Sequence, residues 1–126
     1  MFLRLGKRRD VGREGEDLAA AYLKKKGLRL IDRNVRTPYG EIDLIFEDGR
    51  VVVFAEVKTR SGNGFGGPSA AVDQDKRRRI SNAAMSFLAG KGWQDRLARF
   101  DVVGIVMEGG RPRLDHLIDA FDLVSG

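Results

Sequence analysis

Two acidic residues and one lysine lie in adjacent apolar runs near the middle of the chain. Asp43 interrupts the alternating run Glu41–Phe46, and Glu56 and Lys58 end the apolar run that begins at Val51. An Asp-Gly pair between the two runs favours a hairpin turn, so we expect paired strands that bring Asp43 near Glu56. An acid in such a strand costs several kcal/mol unless it is paired or bound to a cation. This spacing therefore suits a site for a divalent cation.

The same side chains match the needs of phosphodiester hydrolysis, which requires a cation, an activated water and a group that positions the water. Mg²⁺ or Mn²⁺ takes hard oxygen ligands, and Asp43, Glu56 and the carbonyl of Val57 would supply them. Lys58, on the same strand face as Glu56, would orient the water and stabilise the charge that develops on the phosphate. The alternative is a plain Glu56–Lys58 ion pair on an edge strand.

A helix of about Val11–Lys26 precedes these strands and holds a further acid. Its apolar residues repeat at three and four positions, its acids come early and its lysines late, and Gly27 provides a stop. Glu16 lies on the same helix face as Ala20 and Leu23. It is therefore either an inward-pointing acid that supports the site or an ordinary acid of the first helical turn.

A second helix, from near Ser69 or Val72 to Ala89, begins with four consecutive cations. Consecutive residues spread around a helix, so not all four face one way. Such a run is either a solvated face or a surface that binds phosphates. The glycine-rich loop at 60–68 is either a mobile rim of the site or a plain connector. The expected nucleic-acid contacts are Arg60, Lys76, Arg77, Arg78 and Arg79.

The remaining runs indicate strands at 28–35, 99–107 and 114–121, which gives the order α-β-β-β-α-β-β. Strict alternation in the first central strand predicts Ile42, Leu44 and Phe46 on one face. The second central strand is apolar at nearly every position, which is typical of a strand covered on both faces. We therefore predict an α/β fold in which two helices flank a mixed β-sheet. The single histidine, His116, is interpreted as structural.

Composition excludes several classes of site. The chain has 126 residues, a formal net charge of +5, one histidine and no cysteine. Disulfides, thiolate metal sites and a multi-histidine zinc site within one chain are therefore excluded. No apolar run approaches the roughly 20 residues of a membrane span, and no signal-peptide pattern is present, so we expect a cytoplasmic protein without a membrane partner. The positive excess favours nucleic acid as the partner.

The expected organisation is simple. We predict a basic N-terminal arm at 1–10, with Asp10 as a candidate helix cap, a single domain at 11–121 and a short tail at 122–126.

Several motifs occur in the same order as in the YraN-like uncharacterised protein family. They are Gly12-x-x-Gly15-Glu16-x-x-Ala19, Gly40-Glu41-Ile42-Asp43-Leu44-Ile45, Glu56-Val57-Lys58-Thr59-Arg60, Lys76-Arg77-Arg78-Arg79-Ile80 and Arg99-Phe100-Asp101-Val102-Val103. Asp43, followed after twelve residues by Glu56-Val57-Lys58, also resembles the PD-(D/E)xK motif of the restriction-endonuclease-like superfamily. The resemblance covers roughly residues 11–121.

This resemblance implies a restriction-endonuclease-like fold similar to that of Holliday-junction resolvases. Asp43 and Glu56 match the metal-binding acids, Lys58 matches the motif lysine, and Glu16 matches a helix-borne acid that several related nucleases place at the metal. The expected function is a nuclease that uses Mg²⁺ or Mn²⁺ and acts on DNA rather than RNA. A homodimer is an expectation by analogy with the superfamily.

Two other functions stay open at this point. The chain is either a nuclease, a nucleic-acid-binding protein that keeps the fold without cutting, or an interaction protein whose basic face docks an acidic partner.

Overall fold

The computed structural model describes residues 2–61 and 72–124, and it describes the side chains of residues 13–59 and 72–124. Residues 62–68 of the expected glycine-rich rim and residues 125–126 of the expected tail lie outside the described part. The observed order of elements is the predicted one. The elements are α1 (Phe2–Lys25), β1 (Arg29–Thr37), β2 (Gly40–Asp48), β3 (Val51–Ser61), α2 (Gln74–Lys91), β4 (Ala98–Glu108) and β5 (Arg111–Phe121).

The five strands form one open sheet in the order β1-β2-β3-β4-β5. Neighbouring strands are antiparallel except β3 and β4, which run parallel and are separated in sequence by α2. The sheet is therefore mixed, as the sequence predicts. Over the described residues, neither helix combines the length and the apolarity that a membrane crossing requires.

The central strand β3 separates two apolar layers. Val53 and Ala55 pack toward α1, whereas Val52 and Phe54 pack toward α2, and this double cover explains why the run is apolar at almost every position. The buried residues of the α1 layer are Ala19, Ala20, Leu23, Leu28, Leu44, Phe46, Val53, Ala55, Val103 and Ile105. Those of the α2 layer are Ile42, Ile45, Val52, Phe54, Val72, Ile80, Ala83, Ala84, Phe87, Phe100, Val102 and Phe121.

Helix α1 is longer than predicted. It begins at Phe2 rather than near Val11, so the backbone of residues 2–10 is helical, and Asp10 lies inside the helix instead of capping it. The segment contains no proline and is rich in leucine, lysine and arginine, which are good helix formers. The division into arm, domain and tail stays a prediction. Gly27, with φ of 96°, lies where the predicted stop falls.

Helix α2 is displaced slightly toward the C-terminus from its predicted bounds. Asp73 caps it, because its carboxylate accepts a hydrogen bond from the N–H of Lys76 at 2.9 Å. The helix continues through Gly90 to Lys91 and ends at Gly92, which adopts φ of 73°. The cap fixes Lys76 in the first turn of the helix.

Strand β2 changes the face on which its side chains lie at Asp43. Only Leu44 and Phe46 belong to the α1 layer, whereas Ile42 belongs to the α2 layer, so the predicted shared face for all three is wrong. The change of face coincides with a change in pairing, because β2 is in register with β3 only over Leu44–Asp48, whereas it stays in register with β1 from Gly40 to Ile45. β2 therefore leaves β3 at Asp43, and the simple two-residue period does not continue through that point.

A buried polar network joins β4 to β5. The carboxylate of Asp101 is fully buried and accepts hydrogen bonds from Arg99 Nε at 3.0 Å and from the N–H of Asp119 at 2.9 Å. His116 Nε2 lies 2.8 Å from the same carboxylate. The interpretation of His116 as a structural histidine is confirmed. Asp101 itself was not predicted to be buried and polar.

Candidate metal and nucleic-acid site

The carboxylate of Asp43 occupies the position at which β2 leaves β3. Its Oδ2 atom accepts a hydrogen bond from the backbone N–H of Val57 at 2.8 Å. The N–H and C=O of one strand residue point to the same side of the strand. The carbonyl of Val57 therefore also faces the opening in which Asp43 lies.

Glu56 brings a second carboxylate to the same opening. It is only 8% exposed, and its Oε1 atom lies 3.3 Å from Nζ of Lys76 on α2. Glu56 raises the pKa of Asp43, so the two carboxyl groups lie close enough to interact. The two acids expected to converge are thus brought together, while their roles stay predictions.

Burial makes it costly to ionise both acids at once. It raises the pKa of Asp43 from its ordinary value of 3.8 to about 7, with Glu56 and Glu16 adding to the rise and the N–H of Val57 and Lys76 opposing it. Burial also raises the pKa of Glu56, against the attraction of Lys76. The carboxyl group of Asp43 is therefore partly protonated near neutral pH.

Two lysines face this pair of acids. Lys58 follows Glu56 on the same face of β3, and α2 contributes Lys76. The pKa of Lys58 is lowered, first by the neighbouring Lys76 and then by partial burial, against the attraction of Glu56 and Asp43. Lys76, which the sequence assigned to nucleic-acid contacts, is therefore also part of the acidic cluster.

Glu16 approaches the site from the α1 side of the sheet. Helix α1 comes close to β3 at Gly15, where an added Cβ would overlap Oγ1 of Thr59. Glu16 Oε1 accepts a hydrogen bond from Asn34 Nδ2 at 2.9 Å. Glu16 thus points toward the sheet and is anchored to β1, and its charge reaches Asp43 through space.

The arginines at the start of α2 lie in different environments. Arg77 donates from Nε to the carbonyl of Val72 at 2.9 Å, and its guanidinium lies 5.3 Å from the ring centroid of Phe121. Arg78 pairs with Asp75 at 3.2 Å. Both arginines therefore have partners within the protein. Whether they also contact nucleic acid stays a prediction.

Arg79 borders a small cleft beside the acids. The cleft has a volume of about 60 Å³, and its walls include Tyr39, Glu41, Glu56 and Lys76. Tyr39 is 52% exposed, so an aromatic ring is available to a ligand at this edge. The side chain of Arg60, the remaining predicted nucleic-acid contact, lies outside the described side chains.

The donor set at the opening fits a hard divalent cation. Two carboxylates and the carbonyl of Val57 are oxygen donors, and Mg²⁺ commonly takes one or two protein carboxylates together with water and phosphate. A cation between Asp43 and Glu56 would also offset the cost of ionising two carboxyl groups whose pKa values are raised by burial. Among residues 2–61 and 72–124, no group of three or more histidine, cysteine, aspartate or glutamate residues is placed to hold a metal. Such a site would therefore need a ligand from water or phosphate.

Tyr39 and Asn34 were not predicted to lie at the site, and Lys76 was predicted only to contact nucleic acid. The position of Lys76 near the acids has a signal in the sequence, because Lys76 aligns with the inward-facing Ile80 on α2. For Tyr39, the only signal in the sequence is its position in a turn beside Gly40. Asn34 carries no periodic signal, since its role depends on a left-handed backbone conformation that local sequence does not specify.

Comparison with known proteins identifies relatives over most of the chain. The family model of the uncharacterised protein family UPF0102 matches residues 15–105. The UPF0102 protein GSU0650 of Geobacter sulfurreducens is 48% identical over 114 residues, which cover 90% of this chain and 89% of that protein. The UPF0102 protein RHA1_ro06551 of Rhodococcus jostii is 47% identical over 112 residues, with coverages of 88% and 95%. A UPF0102 protein of Anaeromyxobacter dehalogenans is 46% identical over 115 residues, with coverages of 91% and 86%. The chain therefore belongs to the uncharacterised, YraN-like protein family UPF0102.

Proposed function

We propose that this protein is a metal-dependent nuclease that hydrolyses phosphodiester bonds in nucleic acid, DNA rather than RNA, in the cytoplasm. The observation that supports this proposal most directly is the convergence of the buried carboxylate of Glu56 and the half-buried carboxylate of Asp43 beside Lys58. The order of elements and the mixed sheet are compatible with the restriction-endonuclease-like fold that the sequence motif implies. The resemblance to Holliday-junction resolvases is the reason to favour DNA.

The acids have a clear part in such a reaction. A bound Mg²⁺ or Mn²⁺ would neutralise charge on the scissile phosphate and lower the pKa of a bound water. Asp43 and Glu56 would hold the ion, and the carbonyl of Val57 would serve as a third protein ligand. Both carboxyl groups would then be ionised, so cation binding would release the proton that Asp43 partly retains near neutral pH in its absence.

The lysines would act on the water and the phosphate. Lys58 would position the attacking water and stabilise the negative charge that grows on the phosphate in the transition state. Because its pKa is lowered by Lys76 and by burial, Lys58 gives up its proton more readily than an ordinary lysine. Lys76 would contact a phosphate oxygen when the cation takes its place beside Glu56.

The surface next to the acids suits a nucleic-acid backbone. The chain has a net charge of +5, and Arg79 and Tyr39 border the cleft that also exposes part of Glu56. The guanidinium of Arg79 would bind phosphate, and the ring of Tyr39 would stack on an unpaired base. The scissile strand would therefore pass between the β1–β2 turn and the start of α2.

One observation favours a second candidate, a nucleic-acid-binding protein that does not cut. Lys76 already lies 3.3 Å from Glu56, so the acid has a cationic partner without a metal ion. In that case Lys76 and Glu56 would form a permanent ion pair, and the basic surface would bind nucleic acid without hydrolysis.

The experiment that separates these functions measures cleavage and binding on the same substrates. End-labelled duplex, single-stranded, flapped and four-way-junction DNA, with matching RNA, would be incubated with the protein and Mg²⁺, Mn²⁺ or EDTA. The nuclease proposal predicts metal-dependent cleavage of at least one DNA substrate and loss of cleavage in Glu56→Gln and Lys58→Met. Arg113→Gln, which removes an exposed arginine paired with Glu108, is the control that keeps activity.

Binding without cleavage on every substrate, with both metals, would favour the second candidate. Absence of binding below micromolar concentration at low salt would contradict both.

A further inference from the structure

Asn34 has an unusual backbone conformation for a residue inside a strand. Its φ is 49°, and within residues 2–61 and 72–124 only Asp119, with φ of 54°, shares this left-handed region without being glycine. Asparagine tolerates this conformation better than most residues do, yet the conformation is less favourable for asparagine than for glycine. An unusual backbone conformation inside a strand suggests that the side chain of Asn34 has a specific role.

The register places Asn34 next to the candidate site. Arg33 lies opposite Leu44 and Val35 lies opposite Ile42 in the antiparallel β1–β2 pair. Asn34 therefore falls across from Asp43, at the point where β2 leaves β3.

The side chain of Asn34 points to the helix-borne acid. Its Nδ2 atom donates to Oε1 of Glu16 at 2.9 Å, and the guanidinium of the preceding residue, Arg33, lies 3.8 Å from the same oxygen. Arg33 also pairs more closely, at 2.7 Å, with Asp17. Asn34 is thus the residue whose backbone adjoins Asp43 and whose side chain holds Glu16.

We propose that Asn34 is a positioning residue that uses its left-handed conformation to hold the carboxylate of Glu16 toward Asp43, where Glu16 supports the bound cation through a water ligand. This inference rests on the proposed metal site. An amide is the suitable group, because it donates to a carboxylate without adding charge, whereas an aspartate at the same position would repel Glu16.

Asn34→Gly should weaken metal binding without reducing the stability of the metal-free protein. Asn34→Gly keeps the left-handed backbone and relieves its cost, so the metal-free protein should be at least as stable as the wild type. The same change frees Glu16, so affinity for Mn²⁺ should fall. Loss of a partner in the outer shell of a metal site typically weakens binding about 10–100-fold.

The test is a calorimetric Mn²⁺ titration together with thermal unfolding of the metal-free proteins. Asn34→Gly and Glu16→Gln should each raise the Mn²⁺ dissociation constant about tenfold or more, and the double variant should bind no more weakly than Glu16→Gln alone. Asp119→Gly is the matched control, since it relieves the same backbone conformation in β5 and keeps the backbone N–H that bonds to Asp101. It should leave the dissociation constant unchanged.

Each contrary result has a distinct meaning. Wild-type affinity retained in Asn34→Gly would overturn the inference while leaving the metal site standing, and so would independent, additive losses in the double variant. A wild type that does not bind Mn²⁺ would overturn the proposed metal site and this inference with it.

Discussion

Nζ of Lys76 lies 3.3 Å from Oε1 of Glu56, which ties the first turn of α2 to the central strand at the point where two acids meet. Glu56 is 8% exposed, so its ionised form needs a positive partner. Lys76 supplies that charge in the absence of a metal ion.

Replacing Lys76 should therefore reduce the stability of the metal-free protein. Lys76→Met leaves a buried acid without its cation, and we expect a loss of about 1–3 kcal/mol in the free energy of unfolding. The control is Arg78→Met on the same helix, because the Arg78–Asp75 pair is exposed and should contribute less than about 1 kcal/mol. Urea unfolding at neutral pH measures both, and equal losses would contradict a special role for Lys76.

Stability of the metal-free protein should fall as the pH rises through the titration of Asp43. Its pKa is raised from 3.8 to about 7 by burial and then by Glu56, so between these values the folded state holds a proton that the unfolded state has lost. The stabilising contribution is complete below about pH 4 and is lost by about pH 7.

The measurement compares the wild type with Asp43→Asn by urea unfolding across that range. The stability of the wild type relative to the variant should decrease by on the order of 2–4 kcal/mol from low to neutral pH. A difference that stays constant with pH would show that Asp43 ionises as freely in the folded protein as in the unfolded chain.

The close approach of α1 to β3 should make Gly15 sensitive to substitution. A Cβ at this position would overlap Oγ1 of Thr59, so Gly15→Ala should push the helix away from the strand and cost about 1–3 kcal/mol. Thr59→Ala removes the obstructing hydroxyl, and the double variant should recover most of the loss. Thermal unfolding of the two single variants and the double variant tests this, and additive effects would contradict the contact.

The buried Asp101 and the half-buried Asp43 should respond in opposite ways to replacement by asparagine. Asp101 is fully buried, with Arg99, His116 and a backbone N–H as partners, so Asp101→Asn should destabilise the fold by about 3–5 kcal/mol. Asp43 faces another acid, so Asp43→Asn should leave metal-free stability unchanged or higher. Chemical unfolding compares the two variants, and a loss above about 2 kcal/mol in Asp43→Asn would make Asp43 a structural residue.

The sequence predicted what depends on local pattern. The apolar run that ends at Glu56 and Lys58, the alternation around Asp43 and the turn between the strands were sufficient to predict paired strands and the meeting of two acids. The order of helices and strands and the mixed sheet followed from the same periodicities.

The features that could not be predicted from the sequence depend on tertiary geometry. Ile42 lies in the opposite layer from Leu44, at the point where β2 separates from β3, and no local signal marks the residue at which two strands part. The link from Asn34 to Glu16 requires both a left-handed backbone and a helix packed over it. Lys76 was recognised as inward-facing, but its acidic partner lies twenty residues earlier on another element.

The proposed function requires that Asp43 and Glu56 together hold a divalent cation. Thermal unfolding of the wild type and Asp43→Asn, each with EDTA or about 10 mM Mn²⁺, tests it most directly, because a ligand at ten times its dissociation constant stabilises by about 1.4 kcal/mol. We expect Mn²⁺ to raise the unfolding temperature of the wild type by a few degrees and to leave that of the variant unchanged. An equal rise in both proteins, or no rise in the wild type even with a DNA oligonucleotide present, would contradict it.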